Sequence, residues 1–319
     1  MNASPAARPR TRRKLPRHRL DLRVLWRDRS GRFSLFKTMV LAACLAPGLW
    51  LAGNAIARTL GARPVTELIH GTGLWTVRLL LIALAVSPAR TLLRWPRLAT
   101  VRRMIGVFAA CYAASHFTLY IVDENFRLLT VASEIVHRFY LTIGFVTLLG
   151  LVILASTSTD RLVAVLGANW KRLHRVIYLL GVLALVHFFM QSKSDVTQAV
   201  LMAGLFAWLM LVRTLPTRLE ANPFVLLLLA PAAAAATAGI EALWYALMTH
   251  LNWHRVLAAN LVLDFDLGLR PSAWVGLIAL AVAVVTWARK KKGEGALPPN
   301  PHQRQCLWKP FPRATCKPR

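Results

Sequence analysis

The chain has 319 residues, of which 56% are hydrophobic, and carries a formal net charge of +27. A water-soluble domain does not combine so apolar a composition with so one-sided a charge. Apolar runs of 15 to 25 residues alternate with short basic segments, as expected when lipid solvates the middle of each run.

The first 37 residues hold twelve Lys and Arg against two Asp. An Arg12-Arg13 pair is present, but no apolar region follows until about Met39, so neither a secretory nor a twin-arginine leader is expected. The segment reads as a disordered cytoplasmic arm attracted to anionic headgroups. Eight spans are then predicted, at Met39–Ala57, Gly71–Val86, Met104–Val122, Phe139–Ser156, Val176–Met190, Val196–Val212, Phe224–Met248 and Ala273–Ala288. Each must be a helix, because the hydrocarbon offers no partner for a free backbone N–H. After Lys292 the chain is Pro-rich, basic and aperiodic, and reads as disordered.

With the N-terminus inside, 32 Lys and Arg fall on the cytoplasmic side and seven outside, Arg78 lying within a span. That imbalance follows the positive-inside rule and accounts for the charge without nucleic acid. Both termini are therefore expected in the cytoplasm. The fold class is all-α, a polytopic bundle of about eight helices. Its expected parts are a basic arm (1–37), a six-helix core (38–215), two additional helices (216–292) and a basic tail (293–319). Cys44 and Cys111 lie in apolar runs and Cys306 and Cys316 in the tail, with no CxxC pair and no CxxCH. Neither a zinc framework nor a covalently attached heme is indicated.

Ionisable side chains at membrane depth are functional candidates. His116 and His187 fall at similar depth in the outer half of two spans that run in the same direction. Two neutral imidazoles at matching depth suit bis-histidine ligation of a heme b held between helices. His174 lies 13 residues before His187, a rise of about 20 Å, which suits a second site near the inner face. On an ideal helix, however, the two rings diverge by about 140°, and no histidine faces His174 from the third span. Arg103 there could hold a heme propionate or a flavin phosphate, or only set topology. His70 opens the second span as a substitute ligand, a proton-relay group or an interfacial residue. Arg78, eight residues deeper, suits a propionate or a quinone head group. His250 and His254, with Asp264 and Asp266 nearby, lack a second pair of strong ligands and read as solvated loop residues.

The segments that carry these residues are IHGTGLWTVRLLLIALAVSPAR, RRMIGVFAACYAASHFTLY, RFYLTIGFVTLLGLVILASTSTD and ANWKRLHRVIYLLGVLALVHFF. They resemble the MsrQ (YedZ) family of heme-binding membrane subunits, within the ferric-reductase-like transmembrane superfamily. The resemblance runs from about Leu35 to Arg213, and its most specific pieces are ASTSTD, WKRLHRVIY and the histidine positions. It implies six core helices, heme b and FMN in the bacterial inner membrane. It also implies electron delivery to a periplasmic, molybdopterin-containing methionine sulfoxide reductase. By position, His116 and His187 match the outer heme ligands. His174 matches an inner histidine that is either a second heme ligand or a flavin or quinone neighbour. His70, Arg78 and Arg103 match basic positions of the same motifs.

No glycine-rich phosphate loop occurs, so electrons must come from a partner: the quinol pool or a cytosolic flavin reductase. Two rivals remain. One is a ferric or other metal reductase component, whose self-sufficient members carry a nucleotide domain absent here. The other is a heme-free transporter or scaffold, for which Glu241, beside Gly239 in the seventh span, is the main feature.

Overall fold

The computed structural model describes residues 26–27, 31–192, 195–249, 251–262 and 268–294. The expected basic arm up to residue 25, the tail beyond 294, and His250, Asp264 and Asp266 lie outside the described residues. In chain order the helices are α1 (Leu35–Ile56), α2 (Pro64–Leu92), α3 (Arg102–Asp123), α4 (Leu128–His137) and α5 (Phe139–Ser156). They continue as α6 (Asp160–Leu166), α7 (Ala168–Leu173), α8 (Ile177–Gln191), α9 (Thr197–Thr214) and α10 (Thr217–Glu220). The last three are α11 (Pro223–Met248), α12 (Trp253–Leu261) and α13 (Pro271–Glu294). Among the described residues, eight helical segments are long and apolar enough to cross a bilayer, with α7 and α8 forming one of them.

Local chemistry sets the helix ends. The Ser34 hydroxyl accepts from the Lys37 N–H at the head of α1, and Asn222 does the same for Phe224 in α11. Pro64 and Pro223 occupy first-turn positions, where a missing N–H is no loss. The fourth span runs from Phe139 to Ser156, as its composition predicts. The second begins at Pro64 instead of Gly71, so His70 sits in the second turn of α2 and does not open it. The fifth begins at Ala168 instead of Val176, and a 3-10 turn at His174–Val176 joins α7 to α8. Four short helices, α4, α6, α10 and α12, have no counterpart in the hydropathy reading. α4 and α12 are amphipathic pieces of ten and nine residues between spans, too short to cross.

α2, α3, α5 and α8 close into a ring: α2 packs on α3, α3 on α5, α5 on α8 and α8 on α2. α3 and α8 thus face each other across the ring. α1 lies outside against α2 and α3, while α9 joins α2 and α8 to the α11–α13 pair. One apolar core fills the ring, including Leu80, Ala83, Ala109, Ala113, Leu151, Leu180 and Ala184. A second links α2 and α9 to α11 and α13 through Leu84, Val200, Val212, Leu226 and Val275. α2 contributes to both.

One proline is answered from another helix, and a second helix is entered beside its proline. Pro88 has no N–H for the Leu84 carbonyl four residues back. Arg213 of α9 reaches that oxygen with Nη2 while Nη1 donates to the Tyr178 hydroxyl at 2.8 Å. Beside Pro47 in α1, the Tyr112 hydroxyl accepts from Gly48 N at 2.6 Å and donates to the Cys44 carbonyl at 3.0 Å. It thus enters between two groups that an undisturbed helix would bond to each other.

Glu241 is closed off in the same manner. Its carboxylate accepts from Arg270 at 3.2 Å and from Asn260 at 2.7 Å, and the Ser272 hydroxyl donates to Asn260 at 2.6 Å. With 8% of its side chain exposed, Glu241 ties α11, α12 and α13 together. A neutralised tie of this kind gives no support to a transport role.

Candidate functional site

The ring of four helices brings His116 and His187 together. His116 lies seven residues from the end of α3 and His187 four from the end of α8, so both sit toward the end of the bundle away from Arg102 and Arg213. Their ring centroids are 6.3 Å apart and their planes cross at 87°. Each Nδ1 lies 2.8 Å from a main-chain oxygen: Ile69 of α2 for His116, and Tyr140 of α5 for His187. A carbonyl only accepts, so both Nδ1 atoms must carry the proton, and each Nε2 keeps a free lone pair.

The spacing fits one metal ion between the rings. Two imidazole–metal bonds of about 2.0 Å, with the ring radii added, span roughly 6 Å. The donor set is nitrogen only and neutral, and apolar helices surround it, so His116 and His187 would suit a porphyrin iron. Phe117 and Phe145, next in sequence to His116 and Gly144, meet with centroids 5.6 Å apart. Among the described residues no cluster of three or more His, Cys, Asp or Glu gathers to hold a metal by carboxylate or thiolate.

The glycines that admit these rings escape a reading based on depth. A Cβ at Gly73 would lie 3.0 Å from His116 Nδ1, and one at Gly144 would lie 2.6 Å from His187 Cε1. Each glycine stands four residues after the carbonyl that holds the ring. The sequence does contain the signal, a glycine at i+4 from each acceptor in IHGTG and YLTIG, but only contacts across helices give it meaning.

His174 occupies a different site. Its Nδ1 lies 3.1 Å from the Trp170 carbonyl, its Nε2 lies 3.3 Å from the Ser158 hydroxyl, and its ring stacks on Trp170 with centroids 3.9 Å apart. The Trp170 indole donates to the Thr157 carbonyl at 3.0 Å, and Arg103 binds the Ser158 carbonyl at 3.0 Å and Asp160 at 2.5 Å. The ASTSTD turn and the WKRLHRVIY segment therefore form one cluster at the basic end. The 3-10 turn advances about 120° per residue, so it swings His174 by about 60° relative to a continuous helix. The ideal-helix angle between His174 and His187 does not hold for that reason.

Of the two remaining candidates, His70 adjoins Ile69, whose carbonyl holds His116, and Arg78 points elsewhere. His70 is exposed. Arg78 turns toward α9, donating to Gln198 Oε1 at 3.3 Å and lying 5.0 Å from the Trp75 ring.

Comparison with known proteins follows these elements. Residues 72–185, from α2 into α8, match the family described as ferric reductase like transmembrane component. The protein-methionine-sulfoxide reductase heme-binding subunit MsrQ of Xanthomonas campestris pv. campestris (strain 8004) is 44% identical over 181 residues, covering 54% of this chain and 83% of the relative. The MsrQ subunit of Caulobacter vibrioides is 38% identical over 186 residues, covering 58% of this chain and 89% of the relative. The chain belongs to the MsrQ family. No solved structure matches it. The family match ends in α8, so it contains His116, His174 and both glycines but stops short of His187.

Proposed function

We propose that this chain is the membrane electron carrier of a protein-methionine-sulfoxide reductase system and holds one b-type heme between His116 and His187. The observation that carries this reading is the pair of rings 6.3 Å apart, each fixed through Nδ1 to a main-chain carbonyl inside a ring of apolar helices. The heme-binding subunits named among the relatives support it. The bound heme supplies one-electron carriage; the chain supplies ligation, orientation and a dry surround.

The basic residues, 32 against seven, support an orientation with both termini and the His174 cluster on the cytoplasmic side, in what is proposed to be a bacterial inner membrane. Electrons enter at that face from quinol or a reduced flavin. They leave at the periplasmic face to a molybdopterin-containing methionine sulfoxide reductase, on which the sulfoxide is reduced. The stacked Trp170–His174 surface, with the Ser158 hydroxyl and the Arg103 guanidinium beside it, is assigned to FMN or a quinone head group. A second heme is not assigned to His174, since both of its nitrogens are already engaged within the chain. His70 and Arg78 receive no ligand role.

The test is a reduced-minus-oxidised visible spectrum with heme quantified per chain on detergent-purified protein. One b-type heme is expected, and His116→Ala and His187→Ala should each lose most of the absorbance while the chain still inserts. Full heme in both variants would refute the ligand assignment.

A further inference from the structure

The two histidines are held by the same device used twice. His116 of α3 leans on α2, where the Ile69 carbonyl accepts the hydrogen bond from Nδ1–H and Gly73 leaves room for its ring. His187 of α8 leans on α5, where the Tyr140 carbonyl and Gly144 do the same. In each case the acceptor belongs to a helix and also receives the imidazole, the Ile69 carbonyl sharing it with the Thr72 hydroxyl at 3.1 Å. A side chain at i+4 lies over the carbonyl one turn before it, so only glycine leaves that oxygen open to a ring from a neighbouring helix.

We propose that Gly73 and Gly144, with the carbonyls of Ile69 and Tyr140, are two matched seats that fix the proton position and plane of each axial histidine. The inference rests on the reading that His116 and His187 ligate a heme. The seats do three things. They keep both ligands as neutral imidazoles, because a carbonyl draws less on the Nδ1 proton than a carboxylate would. They hold the planes at 87°, near perpendicular. They also link the ligand field to helix packing, since ring and acceptor always come from different helices. Near-perpendicular imidazole planes give low-spin ferric heme a highly anisotropic resonance, so the crossing angle can be read directly.

The seats are unequal. An added methyl at Gly144 would come within 2.6 Å of the ring, against 3.0 Å at Gly73. Gly150 serves as a control on the same pair of helices: a Cβ there would meet the Leu180 side chain at 2.5 Å, away from both histidines.

The experiment compares Gly144→Ala, Gly73→Ala and Gly150→Ala in the full chain purified with its heme. It measures heme per chain, the ferric electron paramagnetic resonance spectrum, the reduction potential and the thermal midpoint. Gly144→Ala should hold heme ~10–100-fold more weakly, the range found when groups that orient a metal's ligands are disturbed. Heme that remains should give a displaced resonance. Gly73→Ala should show a smaller change in the same sense, and it serves as the test if Gly144→Ala does not accumulate. Gly150→Ala should lower the thermal midpoint and leave the resonance where it was.

A wild-type resonance with full heme in both seat variants would overturn the proposal. So would an equal displacement in Gly150→Ala, which would reduce the effect to general overpacking. If the wild-type chain binds no heme, or His116→Ala and His187→Ala retain it, the underlying electron-carrier reading has failed instead.

Discussion

Arg213 and Tyr112 do in lipid what water would do for a soluble protein. Leu84 loses its helical donor to Pro88, and the Arg213 guanidinium takes the vacant position. Arg213→Ala should therefore lower stability by about 1–3 kcal/mol, the usual cost of leaving a buried polar group unmet. Pro88→Ala restores an N–H in front of Leu84, so Arg213→Ala should be milder in that background, by about 1 kcal/mol in a double-mutant cycle of detergent unfolding. Equal costs in both backgrounds would show that Arg213 acts mainly through the Tyr178 hydroxyl. Tyr112→Phe should cost less, about 1 kcal/mol, because Gly48 N and Cys44 O can close their own helical bond once the hydroxyl is gone.

At the scale of elements, the three helices at the C-terminal end are tied by a polar knot. Glu241→Ala would leave the Asn260 amide and the Arg270 guanidinium without their acceptor, and a loss of about 1–3 kcal/mol in thermal unfolding is expected. Glu241→Gln keeps an acceptor oxygen and should recover part of that. Hydropathy made the long helices legible, and for Phe139–Ser156 it found both ends. It left α4 and α12 unread, because ten amphipathic residues lying along the bundle produce no apolar run. It also missed the break at His174–Val176, since a 3-10 turn has no signature in composition. The histidine pair was legible through depth and through the family resemblance. Its glycines and carbonyls were not, because both belong to helices other than those bearing the rings.

At the scale of the whole molecule, the charge asymmetry gives a direct expectation. A reporter that works only in the cytoplasm should be active at either terminus, and one that works only outside should be active after Arg127 or Arg255. The opposite pattern would invert the route of the electron. α2 holds the molecule together, sharing one core with α3 and α5 and the other with α9, α11 and α13. It also carries the Ile69 and Gly73 seat.

That double duty has a consequence for biosynthesis. α2 leaves the translocon while most of its eventual neighbours are still unmade, so its second face meets lipid for an interval. The Thr72 and Thr76 hydroxyls bond to carbonyls of their own helix, at 2.7 and 2.9 Å, but the Leu84 carbonyl freed by Pro88 has no donor until Arg213 of α9 is made. Both histidine seats are complete once Gln191 has emerged, while α9, α11 and α13 are still to be synthesised. A chain arrested on the ribosome between those points already contains both histidines of the proposed site with their seats, so heme bound to such an arrested chain would show that the later helices are not needed for its capture.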